Sequence, residues 1–142
     1  MIYDGPSLTV DVVALAGEEP SSVLLIERGN EPFAGAWALP GGFVEPAERV
    51  AVAAARELKE ETGIEAAKLQ LLGVYDTPGR DPRGATVSIA YLLRSDDELD
   101  ARGGDDAASA RWFPVDELPK LAFDHAVLIA DALSFAARER RS

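Results

Sequence analysis

The 142-residue chain has no cysteine and a single histidine. Disulfides, thiolate metal sites and cysteine nucleophiles are therefore excluded. A chain without disulfides suits a reducing compartment. Cations are also scarce: 14 Lys and Arg stand against 25 Asp and Glu, a formal net charge of −11. Non-specific nucleic-acid binding needs clustered Lys and Arg against phosphates, so no nucleic-acid partner is expected. No apolar run approaches the roughly 20 residues that span a bilayer. The start, Met1-Ile2-Tyr3-Asp4-Gly5-Pro6, lacks a basic stretch followed by an apolar one, so no signal peptide is expected. These absences predict a cytoplasmic protein with no membrane partner.

What is present fits one globular domain over residues 1–142. The hydrophobic fraction of 47% and the charged fraction of 27% are those of a soluble domain with a core. A chain of this length buries roughly 70% of the surface it exposes unfolded, enough to hold together without staples. No internal repeat or low-complexity linker divides it.

The apolar stretches Leu8–Leu15 and Ser22–Glu27 predict two strands, with Glu18, Glu19 and Pro20 at the turn between them. Asn30 to Gly42, with Gly35, Pro40 and Gly41, predicts a loop. Ala47 to Thr62 is alanine-rich, has no internal Gly or Pro and stops at Gly63, which predicts a helix. Further strands are expected at 69–75, 86–93 and 110–115, a polar loop at 95–107 and a closing helix at 124–140. Strands on both sides of a central helix, with a second helix at the end, predict an α/β (α+β) fold: an α/β/α sandwich on a mixed sheet.

The chemistry concentrates on the central helix. Glu57, Glu60 and Glu61 are three and four residues apart, so at 3.6 residues per turn they share a face. Ala51, Ala55 and Leu58 lie opposite and are expected to face the core. Like charges at this spacing repel by a few tenths of a kcal/mol per exposed pair. Placed at a helix C-terminus they also oppose the helix dipole, which favours cations there. A bound Mg²⁺ or Mn²⁺ would invert this local electrostatics, because hard cations take carboxylate and phosphate oxygens. The alternative is a solvated acidic face.

The wider spacing resembles the Nudix box, Gly-x5-Glu-x7-Arg-Glu-(apolar)-x-Glu-Glu-x-Gly-(apolar). Gly42, Glu48, Arg56, Glu57, Leu58, Glu60, Glu61, Gly63 and Ile64 all match, nine positions within 23 residues. The lead-in Trp37-Ala38-Leu39-Pro40-Gly41-Gly42 and the later Arg111-Trp112-Phe113 extend the likeness over most of the chain. The resemblance implies a metal-dependent hydrolase of a nucleoside diphosphate linked to another group. It implies Glu57, Glu60 and Glu61 as metal ligands together with the Gly41 carbonyl, and Glu57 as an alternative base for water. Arg56 would orient the glutamates. Glu48 would tie the box loop to the helix, Gly42 would make a tight turn before it, and Gly63 would end it. The cation is expected to be Mg²⁺ or Mn²⁺, stabilising charge on the phosphates and lowering the pKa of water.

Family members also use a carboxylate outside the box. Asp106 is the first candidate and Asp105 the second, with a solvated acidic loop as the alternative. The segments Val74 to Gly84 and Leu121-Ala122-Phe123-Asp124-His125 are similar to those of Nudix ADP-ribose pyrophosphatases, which implies a small-molecule nucleotide substrate, ADP-ribose, cut to AMP and ribose 5-phosphate. Arg80 and Arg83 would fork onto phosphates or stand as exposed loop arginines. Phe33 and Tyr75 are candidates for stacking on a base, whereas Trp37 is expected in the core. His125 is expected to cap or pack a helix. A nucleoside triphosphate or dinucleoside polyphosphate substrate is the alternative, and a non-catalytic nucleotide sensor a second one. The complete set of box carboxylates favours catalysis. A homodimer is compatible with the sequence, which does not address assembly.

Overall fold

A computed structural model describes residues 5–66, 68–103 and 107–141. Strand β1 (Ser7–Ala16) forms the centre of the sheet. It runs parallel to β6 (Thr86–Ser95) over its whole length, Ser7 against Thr86 through Ala16 against Ser95. Its other edge is shared. Leu15 and Ala16 pair with β2 (Ser22–Arg28), and Thr9 to Asp11 pair with the short β4 (Gly41–Phe43), both antiparallel. β2 also carries β3 (Trp37–Ala38) and β7 (Ala107–Pro114), and β5 (Gln70–Tyr75) flanks β6. The sheet is thus mixed, as the pattern of strands and helices predicts.

Two helices cover it. Successive side chains of a strand point to opposite faces, and this parity divides the core in two. Val10, Val12 and Ala14 of β1 meet Ala53, Ala54 and Leu58 of α1 (Val50–Thr62). Val13 and Leu15 meet Leu128, Ile129 and Ala132 of α2 (His125–Arg141). Leu58 is fully buried, so truncating it to alanine would cost about 2–5 kcal/mol. Asp11 falls on the α2 face by the same parity. No helix among the described residues is long and apolar enough to cross a membrane.

Three expectations are corrected. The central helix begins at Val50 rather than Ala47, because Pro46 and Ala47 sit in a turn in which Ala47 has φ 65° and the Glu48 N–H donates to the Glu45 carbonyl. Its core face is Ala53, Ala54 and Leu58, while Ala51 is exposed. The segment expected as one loop from Asn30 to Gly42 contains β3, which pairs with β2, and the start of β4, which pairs with β1.

Candidate active site

Residues at the C-terminal half of α1 form an acidic wall held together by one arginine. Arg56 donates from Nε to Glu48 Oε2 (2.7 Å) and from Nη2 to Glu48 Oε1 (2.9 Å). Its Nη1 donates to Glu57 Oε1 at 2.8 Å and to Glu60 Oε2 at 3.3 Å. The Arg56 fork holds Glu48 down at about pKa 2, helped by the Glu45 N–H. The same contacts raise Arg56 further above its already high range. Glu48 thereby joins the loop before the helix to the helix itself, and one cation offsets part of the repulsion that the sequence puts on this face.

Glu61 differs from its neighbours. It is 9% exposed, and its Oε1 accepts the Gly41 N–H at 2.7 Å. Burial drives its carboxyl up to about 8, with Glu57 and Asp11 adding to the rise and the Gly41 bond and Arg28 opposing it. The side chain is not on an exposed face, as the helical spacing alone suggests, because β4 folds over it. Glu57 is also raised, chiefly by burial, with Arg56 pulling the other way.

Both glycines of β4 are there for close approach. A Cβ on Gly41 would stand 2.2 Å from the Val10 carbonyl and 2.6 Å from Asp11 Oδ1. On Gly42 it would stand 2.7 Å from the Glu57 carboxyl carbon. Gly42 therefore makes room for a carboxylate within a strand and does not form a turn. Gly63 does end α1: it has φ 78°, and its N–H donates to the Lys59 carbonyl.

Basic residues line the same cleft as the acidic wall. Ile26, Gly41, Gly42, Glu61, Arg28 and Arg83 line both a narrow cavity of about 60 Å³ and an adjoining cleft of about 470 Å³ that also holds Glu57 and Glu60. Arg28, at the end of β2, donates from Nε to the Pro32 carbonyl at 2.7 Å and lies 5.0 Å from the Phe123 ring centroid. Burial lowers its pKa, and the nearby Arg83 cation lowers it further. Arg83 is anchored to Asp81 through Nη2 (2.8 Å) and lies 5.1 Å from the Phe43 centroid and 5.6 Å from that of Phe123. Two guanidinium groups this close repel, and an anion between them would offset that repulsion. No sequence pattern singles out Arg28. Its one signal is a cation at the end of an apolar strand, next to Gly29.

Beneath the cavity is a buried polar network that sequence patterns also leave unmarked. Asp11 is 6% exposed. It accepts a short hydrogen bond from Ser88 Oγ and lies 3.3 Å from His125 Nε2 and 3.9 Å from Arg80 Nη2. Burial alone would raise Asp11, but His125, Ser88 and Arg80 together bring it below its ordinary value. Arg80 forks onto Asp124 (Nε to Oδ2 at 3.0 Å, Nη2 to Oδ1 at 2.7 Å) and donates from Nη1 to Thr86 Oγ1. It is 9% exposed, so it is neither a free phosphate fork nor a surface arginine. The clue in the sequence is an aspartate inside the otherwise apolar run Leu8–Leu15.

The remaining predicted residues lie nearby. Phe33, at φ 63°, packs edge-on against Phe123 with centroids 5.0 Å apart. Tyr75 Oη donates to Asp131 Oδ2 at 2.8 Å, and with Phe33 and Phe123 it lines a further cavity of about 440 Å³. Trp37 packs edge-on against Phe113, in the core. Asp105 and Asp106 lie outside the described residues.

Among the described residues no three acidic side chains converge as a ready-made cation cage. Arg56 occupies oxygens of Glu57 and Glu60, and a backbone amide occupies Glu61. The donors still fit a hard divalent cation. Carboxylate oxygens from three glutamates line one cleft, and one of them is buried without a cationic partner in hydrogen-bond contact, a position that a cation would relieve.

The chain is similar to known proteins. The model of the NUDIX domain matches residues 5–132. An ADP-ribose pyrophosphatase of Methanocaldococcus jannaschii is 47% identical over 132 residues, which are 92% of this chain and 75% of the relative. The crystal structure of a MutT/nudix family protein from Enterococcus faecalis superposes with a TM-score of 0.88 at 33% identity, over 97% of this chain and 64% of the other. The NUDIX domain of Shewanella oneidensis NrtR, solved as a complex with ADP ribose, superposes with a TM-score of 0.84 at 30% identity, over 99% of this chain and 91% of that domain.

Proposed function

The chain belongs to the NUDIX family and is a Nudix hydrolase, and on that premise we propose that its substrate is ADP-ribose, cut at the diphosphate to AMP and ribose 5-phosphate. The observation that carries this reading is the shared lining of one cleft. Glu57, Glu60 and Glu61 border it together with Arg28 and Arg83. A diphosphate needs cations on both flanks, because negative charge grows on its oxygens as the bond breaks. The ADP-ribose pyrophosphatase and the ADP-ribose complex among the relatives support the same ligand.

Glu57, Glu60 and Glu61, with the Gly41 carbonyl, are the residues that would hold Mg²⁺ or Mn²⁺. When bound, the cation supplies charge neutralisation on the phosphate oxygens and a lowered pKa for water. The chain's own groups do the rest. Arg56 keeps Glu57 and Glu60 in place through paired hydrogen bonds. Arg28 and Arg83 orient the phosphates, with the rings of Phe43 and Phe123 close to their guanidinium groups. Glu57, set against Gly42, either joins that ligand set or, as the alternative, receives the proton of the attacking water. Phe33 and Tyr75 border the space available to the base or the distal ribose.

The test is turnover of ADP-ribose in ¹⁸O-labelled water with Mg²⁺ or Mn²⁺, with products weighed by mass spectrometry. AMP and ribose 5-phosphate, one of them carrying the label, are expected. Release of inorganic pyrophosphate from nucleoside triphosphates, with ADP-ribose left intact, would overturn the substrate assignment.

A further inference from the structure

His125 opens α2 on the far side of the sheet from α1, yet its ring reaches the segment that leads into the acidic wall's glycines. Its Nδ1 accepts the Leu39 N–H at 3.0 Å, across 86 residues of chain. A ring nitrogen that accepts carries no proton, so the imidazole proton sits on Nε2. That nitrogen faces Asp11 Oδ1 at 3.3 Å. The ring is 4% exposed and its two nitrogens are both engaged. Its orientation is therefore determined by two contacts, one to the β3–β4 connection and one to β1.

Leu39 matters through the two residues after it. Pro40 has no N–H to donate, and its carbonyl accepts the Val12 N–H at 2.8 Å. Gly41 lies against Asp11 with no room for a Cβ and gives its N–H to Glu61. Leu39 to Gly41 is thus pinned from three directions: β1 through Val12, α1 through Glu61 and α2 through His125. The first two contacts are backbone or acidic-wall contacts. Only the third comes from a side chain outside the box and its flanking strands.

Asp11 is itself held by its neighbours. Ser88 donates to one oxygen, and Arg80, locked to Asp124, stands behind it. The two segments Val74 to Gly84 and Leu121 to His125, which in the sequence are simply two similarities, therefore meet in one buried frame.

We propose that His125 is a positioning residue: its Nδ1, oriented by Asp11, fixes the Leu39–Gly41 segment so that Gly41 and Glu61 are presented to the cation and the diphosphate. This rests on the reading of the acidic wall as a metal site. One arm of the test does not.

Two substitutions divide the ring's functions. His125→Asn keeps an acceptor near Nδ1 and loses the reach to Asp11. His125→Gln keeps a donor near Nε2 and loses the acceptor for Leu39. Amide hydrogen exchange in the metal-free protein reads the positioning directly. Exchange at Leu39 and Gly41 is expected to speed up about tenfold or more in the Gln variant and to stay near wild type in the Asn variant. Mn²⁺ affinity, followed by electron paramagnetic resonance, is expected to weaken about tenfold in the Gln variant, the usual effect of removing a group that orients a ligand. For ADP-ribose, kcat is expected to fall with it, while KM stays within about twofold. Thermal melting identifies a merely structural role, which would lower Tm in both variants and leave kcat and Mn²⁺ affinity of the folded fraction unchanged; that result overturns the proposal. Wild-type exchange at Leu39 in the Gln variant also overturns it. Failure of wild-type protein to cleave ADP-ribose, with the exchange and Mn²⁺ results as expected, refutes the substrate and leaves the positioning role standing.

Discussion

Replacing Glu61 by glutamine should make the metal-free protein more stable at alkaline pH and inactive at every pH. The carboxyl is 9% exposed and titrates at about 8, against 4.5 for the unfolded chain. The folded state therefore binds the extra proton, and the stability this confers is present at low pH and lost as pH rises from about 4.5 through about 8. Between about pH 6 and about pH 9 the loss amounts to roughly 3 kcal/mol by linkage. Glutamine resembles the protonated acid and keeps an acceptor for the Gly41 N–H. The variant should match wild type below about pH 4, where both carry a neutral group folded and unfolded, and its advantage should grow by roughly 3 kcal/mol between about pH 6 and about pH 9, which for a domain of this size is a further Tm difference of about 6–12 °C. Mg²⁺ or Mn²⁺ should raise the wild-type Tm at about pH 9, where the carboxylate is already free of its proton, and raise that of the variant much less. Turnover should fall by orders of magnitude. The assay is calorimetry across pH in chelator and in metal, with steady-state hydrolysis alongside. A variant equally less stable than wild type at both pH values, or one with undiminished turnover, would refute the account of Glu61 as a buried, proton-holding ligand.

Arg28→Ala should raise KM for ADP-ribose about 10- to 100-fold, the effect of losing a charge-assisted contact, with a smaller change in melting temperature; steady-state kinetics at two salt concentrations checks it. Gly42→Ala should lower kcat and metal affinity by displacing the Glu57 carboxylate, and should leave urea stability nearly intact, because the end of a side chain can move. Arg80→Lys should cost about 3 kcal/mol in urea denaturation, since a lysine cannot reproduce the fork on Asp124 and the contact with Thr86.

The parts of the protein governed by local rules are readable from residues alone. Helix α1 follows from its alanines and from Gly63, and its acidic face follows from helical spacing. β1, β2 and β6 follow from apolar runs. The rest depends on contacts between distant segments. β3 and β4 are too short to announce themselves and exist because β1 and β2 pair with them. The burial of Glu61 depends on β4 lying over α1, and no periodicity in α1 contains that fact. Arg80 reads as a loop cation until Asp124, 44 residues later, turns out to be its partner. Asp11 offers a visible signal, a charge within a run of Val, Leu and Ala, but its partners Ser88 and His125 come from two other elements.

The far edge of β1 is split, with β4 on its first half and β2 on its last residues. β4 lies against α1 and gives Glu61 its backbone partner, whereas β2 ends in Arg28. On the proposed reading, the backbone that supports the glutamates and the arginine that selects the ligand hang on separate branches off β1. On that reading, a change of length or charge in the turn after β5, or at the end of β2, would retune which diphosphate is accepted while the glutamates on α1 keep their places.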